Sequence, residues 1–363
     1  MTEGLLMQKA YLLLKNGRTF EGTALGAQCK TTGEIVFTTA MTGYCETLTD
    51  PSYYGQIVIQ TFPLIGNYGI MKEDFESKKS YVKGYIVRDA CDAPSNFRCG
   101  GDLDSYLKDQ GIPGICGIDT RELTRIIREA GTMNGCIYYD VSDAENAKKE
   151  ADDYSIKQSV ESTTVSEKYT VGSDSAKHNV VLFDFGAKRN IERSLVKRGC
   201  RVTVVPALTS AEDIAQMRPD GIMLSNGPGD PADNPEIIAN IKKMCAMNLP
   251  MFGICLGHQM LALANGASTT KLKYGHRGAN QPVKCLGTGR VYVSSQNHGY
   301  AVVNDSLPAN ATLSYINVND GTCEGVDYTD TKAFSVQFHP EACGGPHDTE
   351  FLFDKFIAMM EEK

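Results

Sequence analysis

The chain has 363 residues, too many for one ordinary domain and enough for two that each bury a core. Lys and Arg number 36 against 44 Asp and Glu, a net charge of -8 with a pI of about 5.4. That balance leaves no basic surface for a nucleic-acid backbone or an anionic membrane. The N-terminal stretch lacks the basic start and sustained apolar run of a signal peptide. No segment approaches the ~20 apolar residues of a membrane-spanning helix, so the expected setting is the cytoplasm. Twelve cysteines occur without a C-x-x-C or a Cys/His cluster at zinc spacing, which predicts reduced thiols and no metal site.

Residues 1–150 read as a mixed α/β N-terminal domain. Tyr11 to Leu14, the turn Asn16-Gly17 and Thr19 to Leu25 predict a hairpin, with a further β-rich run over Glu34 to Thr39. Asp119-Thr120-Arg121-Glu122 predicts a helix start: a capping residue and a first-turn acid precede Leu123, Ile126 and Ile127 at helical spacing, and Gly131 ends it. Met41 to Tyr53 (M-T-G-Y-C-E-T-L-T-D-P-S-Y), rich in Gly, Pro and hydroxyls, reads locally as a loop. This half contains no histidine, which speaks against the commonest general base here.

Residues 151–177 are polar and poor in large apolar side chains, the composition of a linker. Over 178–363 strand and helix alternate. Strands are expected at Val180–Phe185, Val202–Val205, Ile222–Ser225 and Pro250–Ile254, separated by helices at Ala187–Arg198, Ala211–Met217 and Glu236–Met247. Such alternation predicts an α/β fold, a doubly wound and mostly parallel sheet whose reactive groups collect at the carboxyl ends of the strands.

One of those ends carries Met251 to Gln259, M-F-G-I-C-L-G-H-Q. Gly253 and Gly257 flank Cys255 between a strand run and a helical run, the layout of a nucleophile elbow with sulfur in place of oxygen. A thiol at a helix N-terminus is shifted toward the reactive thiolate. Its base is sought among six histidines. His258 lies within the elbow's own helix, where a packing or capping role is expected. His339 is better placed, because the β-rich run Phe334 to Phe338 delivers His339-Pro340-Glu341 at its end, an imidazole and a carboxylate two residues apart. His298, in Q-N-H-G-Y, is the fallback. Ser225 to Asp230, S-N-G-P-G-D, offers glycine backbone N–H groups for an oxyanion and lacks the spacing of a phosphate loop.

G-I-C-L-G-H-Q, S-N-G-P-G-D-P and F-H-P-E together resemble the class I (triad) glutamine amidotransferase family. The chain also holds F-D-F-G-A-K-R-N (Phe183 to Asn190), Q-N-H-G-Y, the 41–53 stretch, I-G-N-Y-G (Ile65 to Gly69) and G-I-C-G-I-D-T-R-E-L-T-R (Gly114 to Arg125). With these it is similar to the small, glutamine-hydrolysing subunits of carbamoyl-phosphate synthetases over nearly its whole length. The resemblance implies L-glutamine hydrolysis to glutamate and ammonia, with ammonia passed to a large subunit that holds ATP and Mg, in a heterodimer or higher oligomer. No cofactor and no metal are implied for this chain. By matching motifs, Cys255 would be the nucleophile, His339 the base and then acid, and Glu341 its orienter. Gly227 and Leu256 would supply oxyanion N–H groups, and Gly229, Gln259, Asn297, Gly299 and Tyr300 would recognise the amino-acid end of glutamine. A stand-alone thiol hydrolase of the same fold and a non-catalytic binding module remain as rival readings.

Overall fold

Asn16-Gly17 does what its dipeptide predicts: with Gly17 at φ 88, β1 (Lys9–Leu14) turns back into β2 (Thr19–Gly26) as an antiparallel hairpin. The computed structural model describes residues 8–362 and divides into two compact units that meet in sequence between Lys157 and Gln158.

In the first unit the hairpin is followed by β3 (Thr31–Thr38), α1 (Tyr44–Thr49), β4 (Gln56–Gln60), β5 (Leu64–Ile65), β6 (Gly84–Ile86) and β7 (Asp89–Ala90). Then come α2 (Leu103–Asp109), β8 (Pro113–Cys116), α3 (Thr120–Ala130), β9 (Met133–Tyr138) and α4 (Ala144–Asp153). Strands β1-β2-β8-β6-β4-β3-β9 close into a barrel, because β9 pairs antiparallel with β1, and closure removes the exposed edges that an open sheet would offer. Helix α3 starts as its sequence demands, with the Asp119 carboxylate accepting from Glu122 N–H at 2.9 Å and Gly131 at φ 96 ending it.

Two expectations change here. The stretch 41–53 is not a loop: it forms α1 and a 3-10 turn over Pro51–Tyr53 with Tyr44, Cys45, Leu48 and Tyr53 buried. The Tyr68 hydroxyl accepts from Gly43 N–H at 2.8 Å at the start of α1, and the Tyr68 ring stacks on Tyr44 with centroids 4.1 Å apart. The tyrosine that organises this segment lies outside it, beyond the reach of local composition. The polar stretch 151–177 is likewise structured. Helix α4 runs through residue 150, and residues 158 onward pack into the second unit: Val160 joins its core, and β10 (Tyr169–Val171) extends its sheet.

The second unit continues with β11 (His178–Asp184), α5 (Arg189–Lys197), β12 (Cys200–Pro206), α6 (Ala211–Met217), β13 (Gly221–Leu224), α7 (Pro235–Cys245), β14 (Met251–Ile254) and α8 (Leu256–Ala264). Strands β15 (Thr269–Cys285), β16 (Val291–Val302), β17 (Ala311–Asn317), β18 (Cys323–Tyr328) and β19 (Ala333–Val336) precede α9 (Phe351–Glu361). They form one ten-stranded sheet in the order β10-β12-β11-β13-β14-β19-β18-β17-β15-β16. The run β12-β11-β13-β14-β19 is parallel. Alternate residues of β11 face opposite cores: Val181 and Phe183 pack with α6, α7 and α8, while Val180 and Leu182 pack with α5 and α9. Past β19 the sheet is antiparallel, since among the described residues no α-helix intervenes between β15 and β19 to carry a parallel crossover. No helix is long and apolar enough to cross a membrane among the described residues.

Candidate active site

Cys255 occupies the turn between β14 and α8 at φ 52, ψ -102, a left-handed backbone that a side chain with a Cβ adopts at a cost of about 1–3 kcal/mol. Two neighbouring strands hold it there. Its N–H donates to Val336 O at 2.9 Å, at the end of β19, and Gly257 N–H donates to Ser225 O at 2.9 Å, just beyond β13. Gly257 has no room for a side chain, because a Cβ would run into the Leu224 carbonyl oxygen. The thiol is buried and donates toward Asn297 O on β16, with Sγ and O 3.8 Å apart.

The β19 strand delivers the imidazole as its sequence suggests. His339 N–H donates to Ser295 O at 2.9 Å, and its Nδ1 lies 2.7 Å from Glu341 Oε1, both side chains being wholly buried. Nε2 is buried and makes no hydrogen bond to another described group, so it is the ring nitrogen that stays available. Burial and the nearby Lys188 push His339 toward its neutral form. The Glu341 carboxylate and Cys255 outweigh them, and its pKa lies above the ordinary histidine value. Burial works against the Glu341 charge, but His339 and Lys188 overcome it and hold the carboxyl well below its ordinary range. The carboxylate therefore fixes the Nδ1–H tautomer and favours a charged imidazole.

Lys188 was given no role by the residue reading, yet its Nζ is 3.5 Å from Glu341 Oε1 and its side chain is buried. Asn190 Nδ2 donates to Glu341 O at 2.7 Å. Both follow the end of β11, at the same carboxyl edge as Cys255 and His339, and that strand-end position was the signal that could have found them.

The S-N-G-P-G-D loop sits against this group through its own hydrogen bonds. Buried Asn226 accepts from Lys188 N–H at 2.9 Å and donates to Gly186 O at 3.0 Å. Gly229, at φ 91, leaves no space for a Cβ, which would strike Ser159 Oγ, and Ser159 donates to Pro228 O at 3.1 Å. The segment expected to link domains thus buttresses the loop that carries Gly227. Leu256 is the first residue of α8, where a helix leaves backbone N–H groups without intrahelical partners.

On the other side of Cys255, β16 supplies Asn297, Gly299 and Tyr300. Gln259 reaches this strand, but its amide nitrogen is committed to Tyr300 O at 2.7 Å and Gln337 Oε1 at 2.9 Å. The first of these bonds ties α8 to β16. His298, the fallback base, donates from Nδ1 to Tyr300 O at 2.7 Å while Nε2 lies 3.1 Å from Gln296 Oε1. With both ring nitrogens engaged and burial holding its pKa well below the usual value, it is no base for Cys255. His276, His298 and Glu324 have donor atoms within 4.8 Å of one another, the grouping among the described residues that could hold a cation. Within it His276 is set between Asp320, at 2.9 Å, and Glu324, at 3.5 Å. Burial opposes its charge, but those carboxylates outweigh burial and raise its pKa, so the imidazolium can itself be the cation there.

His258 packs in the core, as its place in the elbow helix suggests. Nδ1 shares a hydrogen bond with Ser335 Oγ at 2.8 Å, and burial lowers its pKa from 6.5 to about 3. Below pH 6.5 the unfolded chain binds a proton here that the folded chain refuses, so stability falls as pH drops from 6.5 toward 3, by about 1.4 kcal/mol per pH unit from this group. His258→Gln is expected to lower stability at pH 7.5 through lost packing, yet to flatten the decline between pH 6.5 and 5. Urea unfolding at several pH values measures it; an unchanged slope would refute the assignment.

Residues 12–137 match the family model of the carbamoyl-phosphate synthase small chain, CPSase domain, and residues 181–359 match that of the class-I glutamine amidotransferases. The chain is 51% identical over 349 residues to the carbamoyl phosphate synthase small chain of Clostridium perfringens, covering 96% of this chain and 99% of that one. It is 52% identical over 362 residues to that of Listeria monocytogenes serotype 4b, covering 98% of each. To that of Bacillus caldolyticus it is 51% identical over 357 residues, covering 98% of this chain and 97% of the other.

Proposed function

Since this chain belongs to the carbamoyl-phosphate synthase small-chain family and is its glutamine-hydrolysing subunit, we propose that Cys255, His339 and Glu341 are the residues that perform the hydrolysis. The observation that carries the assignment is the buried His339–Glu341 pair, 2.7 Å apart, set at one strand end beside the strained turn that presents Cys255 at another.

In this mechanism Cys255 Sγ attacks the side-chain amide carbon of L-glutamine while His339 Nε2 takes the thiol proton. The carbonyl oxygen becomes an oxyanion held by the N–H groups of Gly227 and Leu256. His339 then gives its proton to the departing nitrogen, which leaves as ammonia, and a thioester remains on Cys255. Water attacks the thioester, His339 accepts its proton, and glutamate leaves as the thiol is restored. Glu341 holds the imidazole throughout, and Lys188 steadies that carboxylate. Gly229, Asn297, Gly299 and Tyr300 receive the amino-acid end of glutamine, with Gln259 acting by holding Tyr300.

The partner is the large subunit, which receives the ammonia and supplies ATP and Mg. This chain works without a cofactor of its own, in a cytoplasmic heterodimer or a higher assembly of it, and with neither nucleic acid nor membrane as partner. Free hydrolysis would waste ammonia, so the isolated chain is expected to be a poor glutaminase. A gated oxyanion donor accounts for that, since withdrawing one costs about 2.7–4 kcal/mol of barrier. Stimulation by the large subunit with ATP and bicarbonate should then reach about 10²-fold or more and fall mainly on kcat, because the donor acts in the transition state. Steady-state glutaminase kinetics with and without the partner test this. Full activity alone, unchanged by the partner, would favour an independent thiol amidohydrolase.

A further inference from the structure

Helix α3 separates its charges. Thr120, Leu123 and Ile127 are buried, while Arg121, Arg125 and Arg128 fall at i, i+4 and i+7, forming one exposed row about 10 Å long. Arg18, Arg98, Arg198 and Arg201 each meet a carboxylate, but no hydrogen bond or ion pair ties these three to another described residue. Of the acids beside the row, Glu122 pairs with Arg18 and the Asp119 carboxylate caps the helix, while exposed Glu129 stands one turn beyond Arg125 with no ion pair to it. The row borders an 870 Å³ cleft that is also lined by Thr39, Thr61, Pro63 and exposed Arg88, whose guanidinium lies 4.0 Å from the Asp89 carboxylate.

Like charges spaced four residues apart, as at Arg121 and Arg125, weaken a helix, and no ion pair to either side chain relieves them among the described residues. The patch also inverts the sign of a molecule whose net charge is -8. A single small anion would need one or two converging buried donors, not a splayed and exposed row. An acidic chain is a poor candidate for nucleic acid. A protein surface with carboxylates spaced along such a row fits it, and Arg is the basic residue most suited to interfaces because its fork binds carboxylates in two places.

Resting on the small-chain reading above, we propose that Arg121, Arg125 and Arg128, with Arg88 lining the same cleft, form a docking surface for a carboxylate-bearing face of the large, ATP-using subunit. The row steers the two subunits together and sets their register, as complementary charge does at other interfaces.

The test uses full-length chains and the intact large subunit. Arg121→Glu/Arg125→Glu/Arg128→Glu is compared with the milder triple Arg→Gln variant, which keeps the comparison sound if charge reversal disturbs folding. The dissociation constant for the large subunit is measured by calorimetry at two salt concentrations. Charge reversal should weaken binding by about 10²-fold or more, mainly in the association rate. The Gln variant should bind less tightly than wild type and with a shallower dependence on salt. Glutamine-dependent synthesis should recover at excess small chain, and ammonia-dependent synthesis by the large subunit should not change. Wild-type affinity and salt dependence in both variants would overturn the docking surface alone. A wild-type chain stabilised against heat by inorganic phosphate or ATP, with variants that lose that stabilisation and still bind the large subunit normally, would make the row an anion site and overturn the proposal. A wild-type chain that binds no large subunit would overturn the small-chain reading, and this surface with it.

Discussion

Cys255→Ser should abolish glutamine-dependent carbamoyl phosphate synthesis by the complex and leave synthesis from added ammonia at the wild-type rate. A serine hydroxyl is a far weaker nucleophile near neutral pH, because its proton is much harder to remove than that of a thiol. The loss in kcat should be on the order of 10⁴-fold or more, the scale seen when one member of a nucleophile–base unit is removed. Folding should be nearly unaffected, since the substitution is close to isosteric and the strained φ of 52 is held by Val336 O and by Gly257 N–H rather than by the thiol. Paired assays with glutamine and with ammonium on one preparation check the result. Substantial glutamine turnover by the variant would remove Cys255 from the chemistry.

His339→Asn should lower kcat for glutamine by about 10²- to 10⁴-fold, the range for losing a positioned base, again without loss of ammonia-dependent synthesis. Glu341 is expected to matter less, because it touches the imidazole and not the substrate. The structure determines which variant can show this. Lys188 Nζ lies 3.5 Å from Glu341, so Glu341→Ala would break a buried ion pair, a change that typically destabilises by about 3–5 kcal/mol. Glu341→Gln keeps a polar partner and is the cleaner probe. With the carboxylate gone, burial and Lys188 remain to depress His339, so the limb of the pH–rate profile that reports the Cys255–His339 pair should move to lower pH. A Gln variant as inactive as Cys255→Ser, with an unmoved limb, would contradict the ranking of base over orienter.

What could be foreseen in the sequence was whatever one element declares by itself. Strand and helix alternation over 178–264 marked the parallel sheet, because burial on both faces writes apolar runs into each strand. Gly253, Cys255 and Gly257 announced a sharp turn between strand and helix, and the Asp119 cap announced α3, because those geometries demand particular residues at fixed offsets. Cys255, His339 and Glu341 were each nameable as strand-end residues for the same reason.

Partnership was decided only by the tertiary structure. The sequence ranks His339 above His298 without excluding the second; the structure separates them because one keeps Nε2 free of other hydrogen bonds while the other spends both ring nitrogens on Tyr300 O and Gln296. Lys188 became a neighbour of Glu341, Tyr68 an organiser of α1, and Ser159 a support for the Gly229 loop across 153, 24 and 70 positions of chain respectively. Side-chain periodicity reports whether a residue faces a core. A buried polar group is satisfied by whichever donor or acceptor the fold brings near, and that choice is made between strands and loops far apart in sequence.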